Sequence, residues 1–221
     1  MNPIFPSILN TDFFDLQEKL QDFQKLGIDF IHLDIMDGHF VETISFGPSF
    51  LAAIKKRFPF SFDVHLMADN PRHLVPQFAA AGARWISFHV ETERDVPDLC
   101  KLIQENNSLA GLVINPETPI AALFPYLYQV DFILLMSVHP GRGGQEFIEN
   151  TLDRCAILKR EMQRQGFLRP IQVDGGVKAA NISRLARAGA DIFIVGTALY
   201  NAPDIISSGR ELLALINGDT K

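Results

Sequence analysis

Cysteine is scarce in this chain. Cys100 and Cys155 are the only two, they stand far apart, and neither has a CxxC partner. A disulfide framework is therefore not expected, and a reducing, cytoplasmic compartment is. Runs of lysine and arginine are also missing, and the net charge is −6. That argues against a nucleic-acid partner and against an anionic membrane surface, but not against a small anionic ligand in a local pocket. The opening MNPIFPSILNTDFF has no basic segment ahead of an apolar core, so no signal peptide is expected. No apolar run reaches the ~18 residues that a membrane span requires. No G-x-G-x-x-G follows the first apolar stretch, which disfavours a dinucleotide site. A G-x-S-x-G is absent, and nothing supports a nucleophilic cysteine.

What is present is a repeat of helix, glycine stop and strand. Leu26-Gly27-Ile28-Asp29-Phe30, Ala81-Gly82-Ala83-Arg84-Trp85 and Ala188-Gly189-Ala190-Asp191-Ile192 resemble one another. Glycine suits the left-handed position just past a helix end. Phe13, Leu16, Leu20 and Phe23 recur at helical spacing, with Thr11 or Asp12 available as a cap. Ile148, Leu152, Cys155, Leu158 and Met162 do the same, and Ile182 and Leu185 mark a shorter helix ending at Gly189. Asn70-Pro71 has the form of a cap and first helical residue, and Pro76 should kink or shorten that helix. Eight strands are predicted, over residues 4–8, 29–35, 61–66, 85–90, 109–114, 131–137, 170–174 and 191–195, with a last helix at about 203–217. Runs such as FILLM and IFIV are apolar throughout, as parallel strands covered on both faces are. Eight strands alternating with helices over 221 residues predict an α/β fold, a single-domain (β/α)8 TIM barrel spanning 1–221, with a doubly wound open sheet as the alternative.

In such a barrel, chemistry sits at the C-terminal ends of the strands. The stretch IHLDIMDGHF, residues 31–40, places His32 and Asp34 on one strand face and then turns at Asp37-Gly38. Strand 3 ends with Asp63, His65 and Met67 on one face, strand 4 with His89 and Glu91, and strand 7 with Asp174. His32, Asp34, His65 and Asp174 form a mixed nitrogen and oxygen set, suited to Zn²⁺, Mn²⁺, Fe²⁺ or Co²⁺ more than to Ca²⁺ or Mg²⁺. Four separately hydrogen-bonded core groups are the competing reading. His89 and Glu91 either orient those ligands or serve as structural hydrogen-bond partners. His39, His73 and His139 fall in loops or helix starts and receive no chemistry. Glycines cluster after the last three strands, at Gly141-Arg142-Gly143-Gly144, Gly175-Gly176 and Gly196-Thr197. Loops of this kind are expected to bind phosphate through backbone N–H groups, with ordinary turn glycines as the competing reading. Met36, Met67 and Met136 at strand ends either wall a pocket or fill the core.

These motifs resemble the ribulose-phosphate 3-epimerases of the pentose phosphate pathway. The match runs over nearly the whole chain: Pro6-Ser7-Ile8-Leu9, HLDIMDGHFV (32–41), DVHLM (63–67), NPETP (115–119), LLMSVHPGRGGQEFI (134–148), VDGGV (173–177) and VGTAL (195–199) come in family order. The D-x-K-x-x-D of phosphosugar decarboxylases on a similar barrel is absent around Asp34–Asp37. The resemblance implies that Asp34 and Asp174 are an acid–base pair on opposite faces of the substrate. It implies that His32, Asp34, His65 and Asp174 hold one divalent metal ion, that no organic cofactor takes part, and that Ser7, His65, Met36, Met67 and Met136 lie against substrate. It places Gly141, Arg142, Gly143, Gly144, Gly175, Gly176, Gly196 and Thr197 on phosphate-binding loops. Asp37 falls to turn chemistry. The implied reaction is metal-dependent interconversion of D-ribulose 5-phosphate and D-xylulose 5-phosphate through a cis-enediolate.

The chain departs from the family at Glu42-Thr43, where Pro-Asn is usual, at Arg142, where Phe is usual, at His139 and at Thr197. None of these removes a proposed ligand or acid–base residue. Arg142 either adds a phosphate contact or points to solvent, and the outward placement is the favoured one. A 3-epimerase for another ketose phosphate, such as D-allulose 6-phosphate, is the nearest rival, and a non-catalytic phosphosugar-binding protein is a rival of another class. The family's habits imply a homo-oligomer.

Overall fold

A computed structural model describes residues 2–218. Eight parallel strands are present: β1 (Ile4–Pro6), β2 (Phe30–Met36), β3 (Ser61–Met67), β4 (Ala83–His89), β5 (Leu109–Ile114), β6 (Phe132–Met136), β7 (Ile171–Asp174) and β8 (Ile192–Val195). They pair in the order β1-β8-β7-β6-β5-β4-β3-β2, and a parallel bridge between Ser7 and His32 closes the ring. The helices between and after them are α1 (Leu16–Lys25), α2 (Pro48–Lys55), α3 (Pro71–Ala81), α4 (Val96–Glu105), α5 (Thr151–Gln165), α6 (Ala179–Ala188), α7 (Thr197–Tyr200) and α8 (Ile205–Asn217). The predicted (β/α)8 barrel is the observed fold.

Period-two alternation divides each strand between two cores. Ile31, Leu33 and Ile35 of β2 face the helices, in one large cluster with residues such as Phe23 of α1, Phe78 of α3 and Leu158 of α5. Phe30, His32, Asp34 and Met36 alternate with them and face the barrel interior. The bottom of the interior is an aromatic plug. Phe5 stacks on Phe30 with ring centroids 4.6 Å apart, and Trp85 lies 4.6 Å from Phe132. Burying each such ring contributes roughly 1.5–3 kcal/mol. Gly111 sits opposite, where any side-chain carbon would overlap the Phe132 ring. Polar side chains lie above this plug. The β2–β3 register sets them in rows: Phe30 beside Ser61, His32 beside Asp63, Asp34 beside His65, Met36 beside Met67.

Gly82 and Gly189 end α3 and α6 in the left-handed conformation, as the repeat predicts. Asn70 and Pro71 are the cap and first residue of α3, as expected, whereas the expectation for Phe13 fails. Phe13 is not on α1; it precedes the helix and is 59% exposed. Asp12 accepts from Phe14 N at 2.9 Å, a local turn that delays the helix, and Phe13 packs edge-on against Phe46 and Phe50. Pro76 does not shorten α3, which runs on to Ala81. Asn70 occupies the cap position of α3 but makes no side-chain capping bond. Among the described residues no helix is long and apolar enough to cross a membrane.

Candidate active site

His32, Asp34, His65 and Asp174 converge at the top of the polar interior. Each offers one ligand atom, and those atoms all lie within 4.8 Å of one another. The convergence is a consequence of register. Asp34 and His65 are Cα partners across β2 and β3, and Asp174 ends β7 on the other side of the mouth. Nδ1 of His65 lies 3.2 Å from Asp34 Oδ1 and 3.9 Å from Asp174 Oδ2. Nε2 of His32 lies 3.2 Å from the same Asp34 oxygen. Ser7 donates its hydroxyl to the other oxygen, Asp34 Oδ2, at 2.8 Å.

Burial and mutual charge set the protonation of the cluster. Burial works to lower His32, but the charges of Asp34 and Asp63 outweigh it and hold the imidazole well above its ordinary range. Burial works to raise Asp34, and the His32 charge with hydrogen bonds from both histidines holds it well below the usual carboxylate range. Burial lowers His65 to about 4, with the neighbouring His89 and His32 adding to the shift against the bond to Asp34. Burial and the charge of Asp34 push Asp174 up to about 8. At neutral pH the metal-free site therefore holds one ionised and one protonated carboxyl group.

Four buried donors of two kinds, with two carboxylates close enough to perturb each other, fit a divalent transition-metal ion. Asp34 and Asp174 also open onto a cavity of ≈ 280 Å³. Ser7, Met36, Met67 and Met136 line it, and so do Gly141, Arg142, Gly143, Gly144, Gly175, Gly176, Gly196 and Thr197. His32 and His65 lie beneath it, fully buried. Gly176 has φ +61, and a Cβ there would stand 2.8 Å from Phe147 N, so the loop after β7 can close against the loop after β6 only with glycine. Asp37 stays out of the cavity. Its carboxylate accepts from the backbone N–H of His39, Phe40 and Asp69, and so holds the turn.

Several residues of the site carry no role in the sequence reading. Asp63 lies 2.8 Å from His32 Nδ1 and accepts from Gln172 at 3.1 Å, both within the barrel. The period-two spacing of Asp63 from His65 puts it on the right face, but the β2–β3 register is needed to bring it to His32. Asn10, Lys178 and Asn201 line the cavity. Lys178 stands two residues past Gly176, a position from which a cation could meet an anionic group. His139 pairs with Glu117 at 2.7 Å near the cavity rim. Thr43 donates to Gly141 O at 2.8 Å, tying the loop after β2 to the loop after β6.

Comparison with known proteins adds to this geometry. A family model described as the ribulose-phosphate 3 epimerase family matches residues 3–200. The chain is 42% identical over 216 residues to the ribulose-phosphate 3-epimerase of Aquifex aeolicus, covering 98% of this chain and 97% of the relative. It is 43% identical over 218 residues to the enzyme of the same name from Escherichia coli, covering 97% of each. Among solved structures it is similar to 3-hexulose-6-phosphate synthase from Salmonella typhimurium, with a TM-score of 0.71 at 14% identity, over 99% of this chain and 100% of that one. At that identity the likeness shows the barrel alone.

Proposed function

The chain belongs to the ribulose-phosphate 3-epimerase family and is an epimerase, and from that premise we propose that it interconverts D-ribulose 5-phosphate and D-xylulose 5-phosphate by proton transfer at C3. The observation that carries this reading is the meeting of Asp34 and Asp174, from strands β2 and β7, at the floor of a cavity rimmed by glycine loops.

Inversion at C3 requires a proton to leave one face and another to arrive on the opposite face. Asp34 and Asp174 stand on different strands with a substrate-sized opening above them. One carboxylate takes the C3 proton, and the electron pair of the C–H bond moves toward the C2 carbonyl to give a planar enediolate. The other, protonated, carboxyl group delivers a proton to the far face of C3 as the carbonyl re-forms. The pair ends with its proton on the opposite partner, ready for the reverse direction. The pKa separation within the metal-free pair, with Asp34 low and Asp174 at about 8, has the form expected of a base and an acid.

His32, Asp34, His65 and Asp174 would hold the divalent ion, with Zn²⁺, Fe²⁺, Mn²⁺ and Co²⁺ all suited to the donor set. When bound, such an ion supplies positive charge that stabilises the negative charge developing on substrate oxygen. Met36, Met67 and Met136 present an apolar wall to the planar species. The loops at Gly141–Gly144, Gly175-Gly176 and Gly196-Thr197 receive the phosphate through backbone N–H groups. No electrons pass between molecules, so the reaction calls for no organic cofactor.

The test is exchange. Ribulose 5-phosphate incubated in D₂O with the protein and Co²⁺ should gain deuterium at C3 and form xylulose 5-phosphate. Absence of both sinks the reading. A higher kcat/KM on ribulose 5-phosphate than on allulose 6-phosphate is expected, and the reverse order would reassign the substrate.

A further inference from the structure

The two histidines of the cluster are supported from behind in different ways. His32 rests its Nδ1 directly on a carboxylate, that of Asp63. His65 rests on another imidazole: its Nε2 lies 2.8 Å from Nε2 of His89. Nδ1 of His89 in turn faces Oε2 of Glu91 at 3.4 Å, a charge contact without the alignment of a hydrogen bond. Glu91 is anchored through its other oxygen, which accepts from Asn115 N at 2.9 Å and from the Thr118 hydroxyl. That stretch of loop is pinned by the buried Arg154, whose guanidinium donates to the carbonyls of Asn115, Pro116 and Thr118 at 2.8–2.9 Å. The carboxylate at the end of the chain of contacts therefore stands on a fixed platform. Phe40 packs against the His89 ring, with centroids 4.6 Å apart.

We propose that Glu91 is a positioning residue for the candidate metal centre: acting through His89, it fixes the tautomer of His65 so that Nδ1 faces the cluster with a free lone pair. The inference rests on the metal reading of the four-residue cluster. A neutral imidazole has one N–H and one bare nitrogen. Two Nε2 atoms 2.8 Å apart need one proton between them. If that proton belongs to His65, the Nδ1 of His65 is bare, as a ligand must be, and His89 carries its own proton on Nδ1, toward Glu91. If it belongs to His89, the bare Nδ1 of His89 confronts a carboxylate that can only accept, and His65 turns an N–H toward the ion. Glu91 makes the first arrangement the better one. Asp34 Oδ1, 3.2 Å from His65 Nδ1, favours the second in the metal-free protein. The ion and Glu91 thus act together on one pair of protons.

Cobalt titration of the full chain tests this, read by visible absorption and by competition with a chelator. Glu91→Ala should bind Co²⁺ about 10–100-fold more weakly than the wild type and shift the absorption bands, the usual consequence of removing a partner that orients a histidine ligand. Thr118→Val cuts only the loop contact and should stay within about threefold of wild type. Wild-type affinity in Glu91→Ala overturns the proposal. So does an equal loss in Thr118→Val, which would make Glu91 a loop anchor only. Should Glu91→Ala not fold, Glu91→Gln serves. Its single acceptor oxygen cannot meet both sets of donors, and an unchanged affinity there also overturns the proposal. In the zinc-loaded wild type, imidazole ¹⁵N spectra should show protons on His65 Nε2 and His89 Nδ1; the reverse tautomers reject it. A wild type that takes up no Co²⁺ at the cluster removes the metal reading itself, and this inference with it.

Discussion

The hydroxyl of Ser7, just past the end of β1, donates to Oδ2 of Asp34 on β2 at 2.8 Å, inside the barrel. The resemblance assigns Ser7 to substrate, but its one proton is committed to the carboxylate. A hydrogen bond to a charged acceptor contributes about 1.5–3 kcal/mol when buried. Ser7→Ala should therefore act mainly on Asp34 and lower kcat by roughly tenfold, which corresponds to ~1.4 kcal/mol of barrier. The Michaelis constant should change by less than about threefold. A large rise in the Michaelis constant at unchanged kcat would make Ser7 a substrate contact instead.

Asp174→Asn keeps the shape of the side chain and removes its proton chemistry. Turnover should fall by about 10²–10⁴, the range of a lost acid–base group. The same variant has a signature in the metal-free protein. Asp174 is raised to about 8 in the fold from an ordinary 3.8, so the native state holds a proton that the unfolded chain gives up. Its contribution is fully present below about pH 4 and is lost as pH rises through 8, with a slope of up to about 1.4 kcal/mol per pH unit. His32, raised well above 6.5, acts in the same direction at higher pH. Below about pH 6.5 the lowered His65 and His89 act in the opposite direction and offset this, so metal-stripped wild type should lose stability from about pH 7 to pH 9 in denaturant titrations, and Asp174→Asn should lose less. Equal slopes for the two proteins would remove Asp174 from this account.

Much of the site is legible in the sequence, because apolar strands ending in polar pairs announce which strand ends face the mouth. His32 and Asp34 are two apart on one strand, and period two alone puts them on one face. Asp174 stands at the end of an apolar run and before two glycines, where barrel chemistry is found. What stays hidden depends on register and on tertiary anchoring. Asp63 becomes the partner of His32 only when β2 and β3 pair in one of their possible registers. Glu91 becomes a fixed carboxylate only because Arg154 reaches across to hold the loop at Asn115–Thr118. Phe13 has the right helical spacing, but a local bond from Phe14 N to Asp12 defeats the pattern. The spacing does not register that competition.

Metal loading should release protons. At pH 7 the empty cluster holds a proton on Asp174 and an extra one on His32, and a ligand set must give up both. Calorimetric titration with Zn²⁺ in buffers of different ionisation enthalpy should report about two protons released per ion at pH 7. At pH 9 Asp174 is already ionised, and the number should fall. Release that stays near zero at pH 7 would mean that the ion binds without these two groups.

Arg142 stands where the family usually has Phe, in the glycine loop after β6. It is exposed and lies at the cavity rim, and its backbone carbonyl accepts from Gln145 at 2.7 Å. That bond and the glycines on either side hold the loop whatever the side chain is. An exposed guanidinium near a phosphate is screened by water and salt, and such contacts contribute about 0–1 kcal/mol. Arg142→Phe should therefore leave kcat unchanged and raise the Michaelis constant by less than about fivefold, with the residual effect vanishing at high salt. A rise well beyond tenfold that persists in high salt would show the guanidinium to be a phosphate ligand, and the outward placement would be wrong.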